Sequence, residues 1–225
     1  MKPQLDIPKL IASAKEFCQI ESLKKYRELY GVTDGKAIGT FVEHRFQDYL
    51  EKRYDMTLGS SAIGLDLPSV NCDIKVTSLK QPQSSCPFKS SKQKIYGLGY
   101  NLIIFVYVKH DDARTKTGRL EFVSCTFIDR LRTGDYQTTK GIRDIIDRNG
   151  NQDDLFAYLI ERHIPEDEPT LMSMAEDLLQ YPPPIGYLTI SNALQWRLQY
   201  GRIVNLDEEV KGITSIVKYD SRKLY

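Results

Sequence analysis

The sequence predicts an α/β fold, a mixed sheet flanked by helices with a more helical C-terminal half. Val70, Cys72, Ile74, Val76 and Ser78 alternate with Asn71, Asp73, Lys75 and Thr77, the period-two pattern of a half-buried strand. Residues 101–109 form a nearly unbroken apolar run, as expected of a strand covered on both faces. Elsewhere apolar residues recur every three or four positions, which places helices before the strands and again after them.

Taken in order, Ile7, Leu10, Ile11, Ala14 and Phe17 have helical spacing, and a second amphipathic piece covers 23–29. Asp34-Gly35 is a turn signal, after which Ile38, Phe41, Val42, Phe46, Tyr49 and Leu50 make the buried stripe of a helix over 36–54. Residues 60–67 and 70–79 are expected as two strands folded back at Pro68-Ser69. A polar loop over 81–94 follows, then strands over 101–109 and 120–127, separated by a turn region over 111–118. Helices are expected over 139–148, 152–163 and 170–181, the last stopped by Pro182, Pro183 and Pro184. Residues 188–190 read as extended, Ser191 as the cap of a short helix over 193–200, and 202–206 and 213–219 as final strands. The expected organisation is a single domain over 1–225, with a catalytic core over about 35–130 and an elaboration over about 131–225.

With 225 residues, 41% of them hydrophobic and 27% charged, the chain has the composition of a globular protein. The apolar run from Leu102 to Val108 is too short to cross a bilayer, and the N-terminus lacks the apolar core of a secretory signal, so a soluble, cytoplasmic protein is expected. Cys18, Cys72, Cys86 and Cys125 are scattered, and His44, His110 and His163 stand near none of them at zinc-ligand spacing, which argues against structural zinc and a disulfide framework. The formal net charge of +1 conceals an asymmetry. No acidic residue falls between Asp73 and Asp111, whereas Lys75, Lys80, Lys89, Lys92, Lys94 and Lys109 all do. A local basic field suits a polyanion such as nucleic acid.

The chemistry concentrates at residues 64–80. Asp73 and Lys75 are two apart on a strand and so project to one face. If the chain reverses at Pro68-Ser69, Asp66 returns beside Asp73, where antiparallel neighbours have Cβ atoms roughly 4.5–5.5 Å apart. Two close carboxylates repel one another unless a cation holds them, and hard oxygen ligands favour Mg²⁺ or a similar ion. Glu43, at the edge of the helical stripe beside Val42, is placed either to join that site or to be a solvated helix charge. Asp34-Gly35-Lys36 and Glu209-Val210-Lys211 share the acid-x-lysine spacing, but the first sits on a turn and the second in a charged segment. Asp73-Ile74-Lys75 alone lies in an alternating strand, with an acid before it and a basic tract after it.

An acid, a short hairpin and acid-x-lysine together resemble the PD-(D/E)xK nuclease superfamily, with Leu65 where the motif name has proline and Asp73 where glutamate is frequent. The seven-residue gap, with Gly35 to Glu43 upstream, is similar to the spacing in MutH mismatch-repair nicking enzymes and their restriction-endonuclease relatives. Residues 88–100, taken with the whole, look like type II restriction endonucleases. The resemblance implies a restriction-endonuclease-like core in which Asp66, Asp73 and the Ile74 backbone oxygen ligate Mg²⁺. It implies that Lys75 positions or activates the attacking water and that Glu43 completes the site.

Two groups are candidates for DNA contact. Lys89, Lys92, Gln93 and Lys94 follow the active strand and could meet phosphates or bases, or form a solvated loop. Asn192, Gln195, Arg197, Gln199 and Arg202 are of the types that make bidentate contacts with adenine and guanine edges, while Leu194, Trp196 and Leu198 among them read as core. The expected function is a Mg²⁺-dependent, sequence-specific double-stranded DNA endonuclease of a type II restriction-modification system, a homodimer matching a palindromic site. A repair or resolvase nuclease of the same superfamily is the alternative within the class. A non-catalytic DNA-binding protein is the alternative outside it.

Overall fold

Asp6 and Asp34 start the first two helices, each accepting hydrogen bonds from backbone N–H groups of the opening turn. The computed structural model describes residues 2–57, 59, 64–86, 89–191 and 197–220. In chain order the regular elements are α1 (Ile7–Glu21), α2 (Gly35–Glu51), β1 (Cys72–Ser78), β2 (Gln83–Ser85), α3 (Lys92–Tyr96), β3 (Asn101–Asp112), β4 (Thr117–Ile128), α4 (Tyr136–Asp147), α5 (Gln152–Glu161), α6 (Glu168–Gln180), β5 (Thr189–Ile190), β6 (Arg197–Gln199), α7 (Gly201–Val204) and β7 (Ile213–Val217). They form two compact units, one of residues 1–84, 100–128 and 204–225, the other of 85–99 and 129–203. No helix among the described residues is long and apolar enough to cross a membrane.

The first unit is built on a four-stranded mixed sheet of order β1-β3-β4-β7. β1 runs parallel to β3, and β3, β4 and β7 are antiparallel in succession. Leu102 to Tyr107 on β3 are all buried, because that strand lies inside the sheet. α2 presents Ile38, Val42, Phe46 and Leu50, one side chain per turn, to the core beneath β1. Phe17 and Phe46 pack with ring centroids 4.9 Å apart, and Phe46 meets Phe105 edge-on at 5.0 Å. At Gly118 the backbone exchanges N–H···O bonds of 2.8 Å with Tyr26, and a Cβ there would lie 2.8 Å from Leu29.

Glu21 joins the two helices of this unit. Its carboxylate, 6% exposed, accepts from Arg45 Nε at 2.9 Å and Nη2 at 3.0 Å, Lys24 Nζ at 2.8 Å and Tyr26 Oη at 2.6 Å. Burial pushes its pKa up, but the hydrogen bonds from Arg45, Lys24 and Tyr26 outweigh that and hold it below the usual glutamate value.

In the second unit α4, α5 and α6 close over Ile142, Leu155, Leu159, Leu171, Met174 and Leu178. Its polar centre is Asp135, 2% exposed. One carboxylate oxygen accepts from Thr138 N at 2.9 Å and Thr138 Oγ1 at 2.7 Å, capping α4, and the other accepts from Ile190 N at 2.8 Å, holding β5.

Several sequence expectations change. The first helix ends at Glu21, and the second amphipathic piece expected over 23–29 forms only a short 3₁₀ turn at Arg27–Leu29. The polar loop over 81–94 contains β2 and the start of α3, and the turn expected over 111–118 is narrower because β3 and β4 extend into it. Residues 197–199 form a strand where a helix over 193–200 was expected, because Arg197, Leu198, Gln199 and Tyr200 alternate exposed and buried. Residues 201–204 are helical where a strand was expected, a short apolar stretch that periodicity alone cannot assign. Residues 60–63 of the expected first hairpin strand and residues 192–196 lie outside the described residues.

Glu21→Gln should cost about 2 kcal/mol of stability in urea unfolding at pH 7, the scale of hydrogen bonds to a charged group. Because the folded pKa of Glu21 is depressed, its contribution is present above its unfolded value, near 4.5, and disappears as pH falls through the folded one. The wild type should therefore lose stability on acidification below about pH 5 more steeply than the variant.

Candidate active site

The turn before β1 sets the geometry. Pro68–Val70 form one turn of 3₁₀ helix, and Asn71 is left-handed at φ 48°, ψ 50°, a conformation that asparagine tolerates better than most residues. Leu67 and Cys72 then exchange both backbone bonds, 3.0 Å from Leu67 N to Cys72 O and 3.1 Å from Cys72 N to Leu67 O. The next pair outward in this antiparallel register is Asp66 and Asp73, at a non-hydrogen-bonded position where Cα atoms approach to about 4.5 Å. The return strand consists of little more than this bridge, since residues 64–66 carry no regular structure.

β1 is an edge strand of its sheet, and a side chain partly occupies its outer edge. Asp66 Oδ2 accepts from Ile74 N at 2.8 Å. The N–H and C=O of one residue in an extended strand point to the same side, so the Ile74 carbonyl also faces the Asp66 edge.

Asp73 is 7% exposed, and its Oδ2 lies 2.7 Å from Lys75 Nζ on the same face of β1. Burial pushes the Asp73 carboxyl up to about 7; Asp66, hydrogen-bonded beside it, pushes the same way, and Lys75 only partly offsets them. Cys72 next to the pair is no nucleophile, since burial and the charges of Asp73 and Asp66 push its thiol well above the ordinary range. A donor set of hard carboxylate and carbonyl oxygens fits a divalent cation such as Mg²⁺. Asp66, Asp73 and the Ile74 carbonyl are the groups that would hold it.

Asn101 is a positioning residue absent from the sequence reading. Its Nδ2 donates to Val70 O at 3.0 Å and its N–H to Asn71 O at 2.8 Å, fastening the turn to the start of β3. The available signal was a lone amide at the head of an apolar strand, 5% exposed in the fold.

The remaining candidates are dispersed. Glu43 is partly buried on α2, and no group of three or more His, Cys, Asp or Glu side chains suited to a metal ion occurs among the described residues. Asp66 and Asp73 therefore stand as a pair. Lys89 and Lys92 are exposed in the second unit. Gln93 instead braces its own segment, accepting from Lys89 N at 2.9 Å and donating to Leu98 O at 3.1 Å. Lys94 is 1% exposed, so it is not on the surface where phosphates would be met. Its burial lowers its pKa against the attraction of Asp135, and its ammonium lies 3.5 Å from Arg162 O. Arg202 lays its guanidinium 3.5 Å from the Tyr136 ring centroid, while Arg197 and Gln199 point outward from β6. Asn192 and Gln195 lie outside the described residues.

A mixed α/β core with an acid pair and a lysine at the edge of its sheet has the makings of a nuclease, and comparison with known proteins specifies the kind. The model of the family described as "Type II restriction enzyme NspV" matches residues 4–215. A type II restriction enzyme NspV from Nostoc sp. (strain ATCC 29411 / PCC 7524) is 47% identical over 214 residues, covering 95% of this chain and 97% of that protein. The chain belongs to the NspV family of type II restriction enzymes, and is accordingly a site-specific deoxyribonuclease that binds DNA. No solved structure matches it.

The bond from Ile74 N to Asp66 predicts a difference between two replacements. Asp66→Asn keeps a carbonyl oxygen for that N–H, whereas Asp66→Ala leaves it without the acceptor. The alanine variant should be less stable than the asparagine variant by about 1–2 kcal/mol in urea unfolding.

Proposed function

We infer that the enzyme hydrolyses phosphodiesters of double-stranded DNA in a Mg²⁺-dependent reaction, with Asp66, Asp73 and Lys75 as its active site. The observation that carries this reading is the Asp66–Asp73 pairing across the Leu67/Cys72 bridge, with Lys75 2.7 Å from Asp73. Asp66, Asp73 and the Ile74 carbonyl would hold the cation. Mg²⁺ there would supply Lewis-acid stabilisation of the phosphorane charge and a more acidic water.

The chain's own residues then have separate parts. Asp73 stands between Lys75 and Asp66, so its carboxylate fixes the ammonium on the face where the scissile phosphate would lie. Lys75 orients the attacking water and offsets charge that develops on the non-bridging oxygens. Asp66 keeps the edge backbone at Ile74 in place while its carboxylate faces the pair. Attack by water breaks the P–O bond in one displacement, and no covalent enzyme intermediate is needed.

This assignment is that of the PD-(D/E)xK nucleases, and a homodimer would match a palindromic site. The biological setting would be a cytoplasmic restriction-modification system. Lys89 and Lys92, both exposed, could meet DNA phosphates.

Unmethylated phage DNA incubated with the wild type and Mg²⁺ should give discrete fragments, and EDTA should stop the reaction. Asp73→Asn and Lys75→Ala should each lower the cleavage rate by about 100-fold or more, with urea unfolding still cooperative. Either variant cutting at the wild-type rate would remove that residue from the site.

A further inference from the structure

The recognition candidates of the sequence are unequal once folded. Arg202 is stacked on Tyr136, Gln93 is bonded within its own segment and Lys94 is buried. The sheet that contains β5 and β6 differs. Thr189 pairs with Gln199 and Ile190 with Leu198, and the next pair in that register is Ser191 with Arg197, joined by Ser191 N to Arg197 O at 3.1 Å. Residues directly opposite in an antiparallel pair share a face, so Thr189, Ser191, Arg197 and Gln199 lie on one side. Ile190 and Leu198 lie on the other and are buried, at 3% and 0% exposure.

The outer face therefore carries two planar groups, a guanidinium and a carboxamide, on alternate residues of one strand. Both side chains belong to exposed residues, with hydroxyl-bearing residues on the neighbouring strand. Arginine pairs bidentately with guanine O6 and N7, and glutamine with adenine N6 and N7. Alternate residues of a strand are about 6.6–6.8 Å apart, close to two base steps of about 3.4 Å. Glutamine brings no charge, so it adds nothing to the counterion release that dominates phosphate binding. The backing is firm: the Leu198 side is packed away, and Asp135 holds Ile190 N at 2.8 Å. A strand held in this way fixes where those side chains leave the backbone, which base readout requires.

We propose that the outer face of β5 and β6 is a base-reading surface for duplex DNA, with Arg197 reading a guanine and Gln199 an adenine in the major groove. This rests on DNA as the substrate of the family and is independent of the metal pair, so its test is a binding measurement made without metal.

Selection of a randomised duplex pool by the wild type in EDTA should yield a consensus sequence. Against that duplex, Arg197→Ala and Gln199→Ala should each lose about 10- to 100-fold in affinity, with affinity for a random duplex nearly unchanged. Repeating the selection with each variant should relax one position, a guanine for Arg197→Ala and an adenine for Gln199→Ala. Equal losses on both duplexes would mean phosphate contacts and would overturn the proposal. Unchanged affinity on both, or a wild-type selection with no consensus, would overturn it as well. A cleaving Asp73→Asn variant would remove the metal-pair reading and leave this comparison intact.

Discussion

One backbone register, the Leu67/Cys72 bridge, governs the site. Two residues that exchange both N–H···O bonds bring the next pair outward closer than any other arrangement of an antiparallel ladder. Here that pair is Asp66 and Asp73. The left-handed Asn71 makes the turn short enough, and Asn101 anchors it through Val70 O at 3.0 Å. Moving the register by one residue would send Asp73 to the other face of β1 and dissolve the pair. The electrostatic cost of the acid pair is thus imposed by backbone geometry, and packing elsewhere must offset it.

The offset comes from the core behind the sheet. β1 lies parallel to β3 over seven registered positions, from Cys72 against Asn101 to Ser78 against Tyr107. On the inner side Phe17, Phe46, Phe105 and Phe122 pack together, and Glu21 links α1 to α2 through Arg45. Burial, more than the charge of Asp66, drives the Asp73 carboxyl up to about 7, and it would relax if its strand could shift and admit water. A strand pinned by two-bond pairing at one end and aromatic packing beneath has little room to do so.

Much of this was legible because it is local. Alternation over residues 70–79 identified the strand, Pro68-Ser69 the reversal, and the arithmetic of an antiparallel register placed Asp66 opposite Asp73. The helical stripe from Ile38 to Leu50 was equally plain, since four of its residues sit on the core. What the chain did not disclose depends on distant partners. Lys94 looks like a loop lysine until Asp135 and Arg162, far along the chain, are folded around it. Asn101 has no local sign of its bond to Val70. For residues 197–200 the alternation was present but was outweighed by the helix-favouring Leu, Gln and Arg, and the buried Leu198 and Tyr200 decide for the strand.

The residues proposed for catalysis and for recognition carry different structural burdens, and this bears on how such a fold could change its specificity. Asp66 bonds a backbone N–H and Asp73 is buried, so replacing either disturbs packing or pairing as well as chemistry. Arg197 and Gln199 are exposed, on a strand held from behind by Leu198 and from the side by the Asp135 bond to Ile190. Exposed substitutions away from caps, turns and buried networks usually alter stability by no more than about 0.5 kcal/mol. Such positions can change their hydrogen-bonding pattern without loss of the fold. Specificity is a difference between affinities, so if that strand reads bases as proposed, exchanging its donors and acceptors would redirect it while the acid pair and its lysine remain where the backbone holds them.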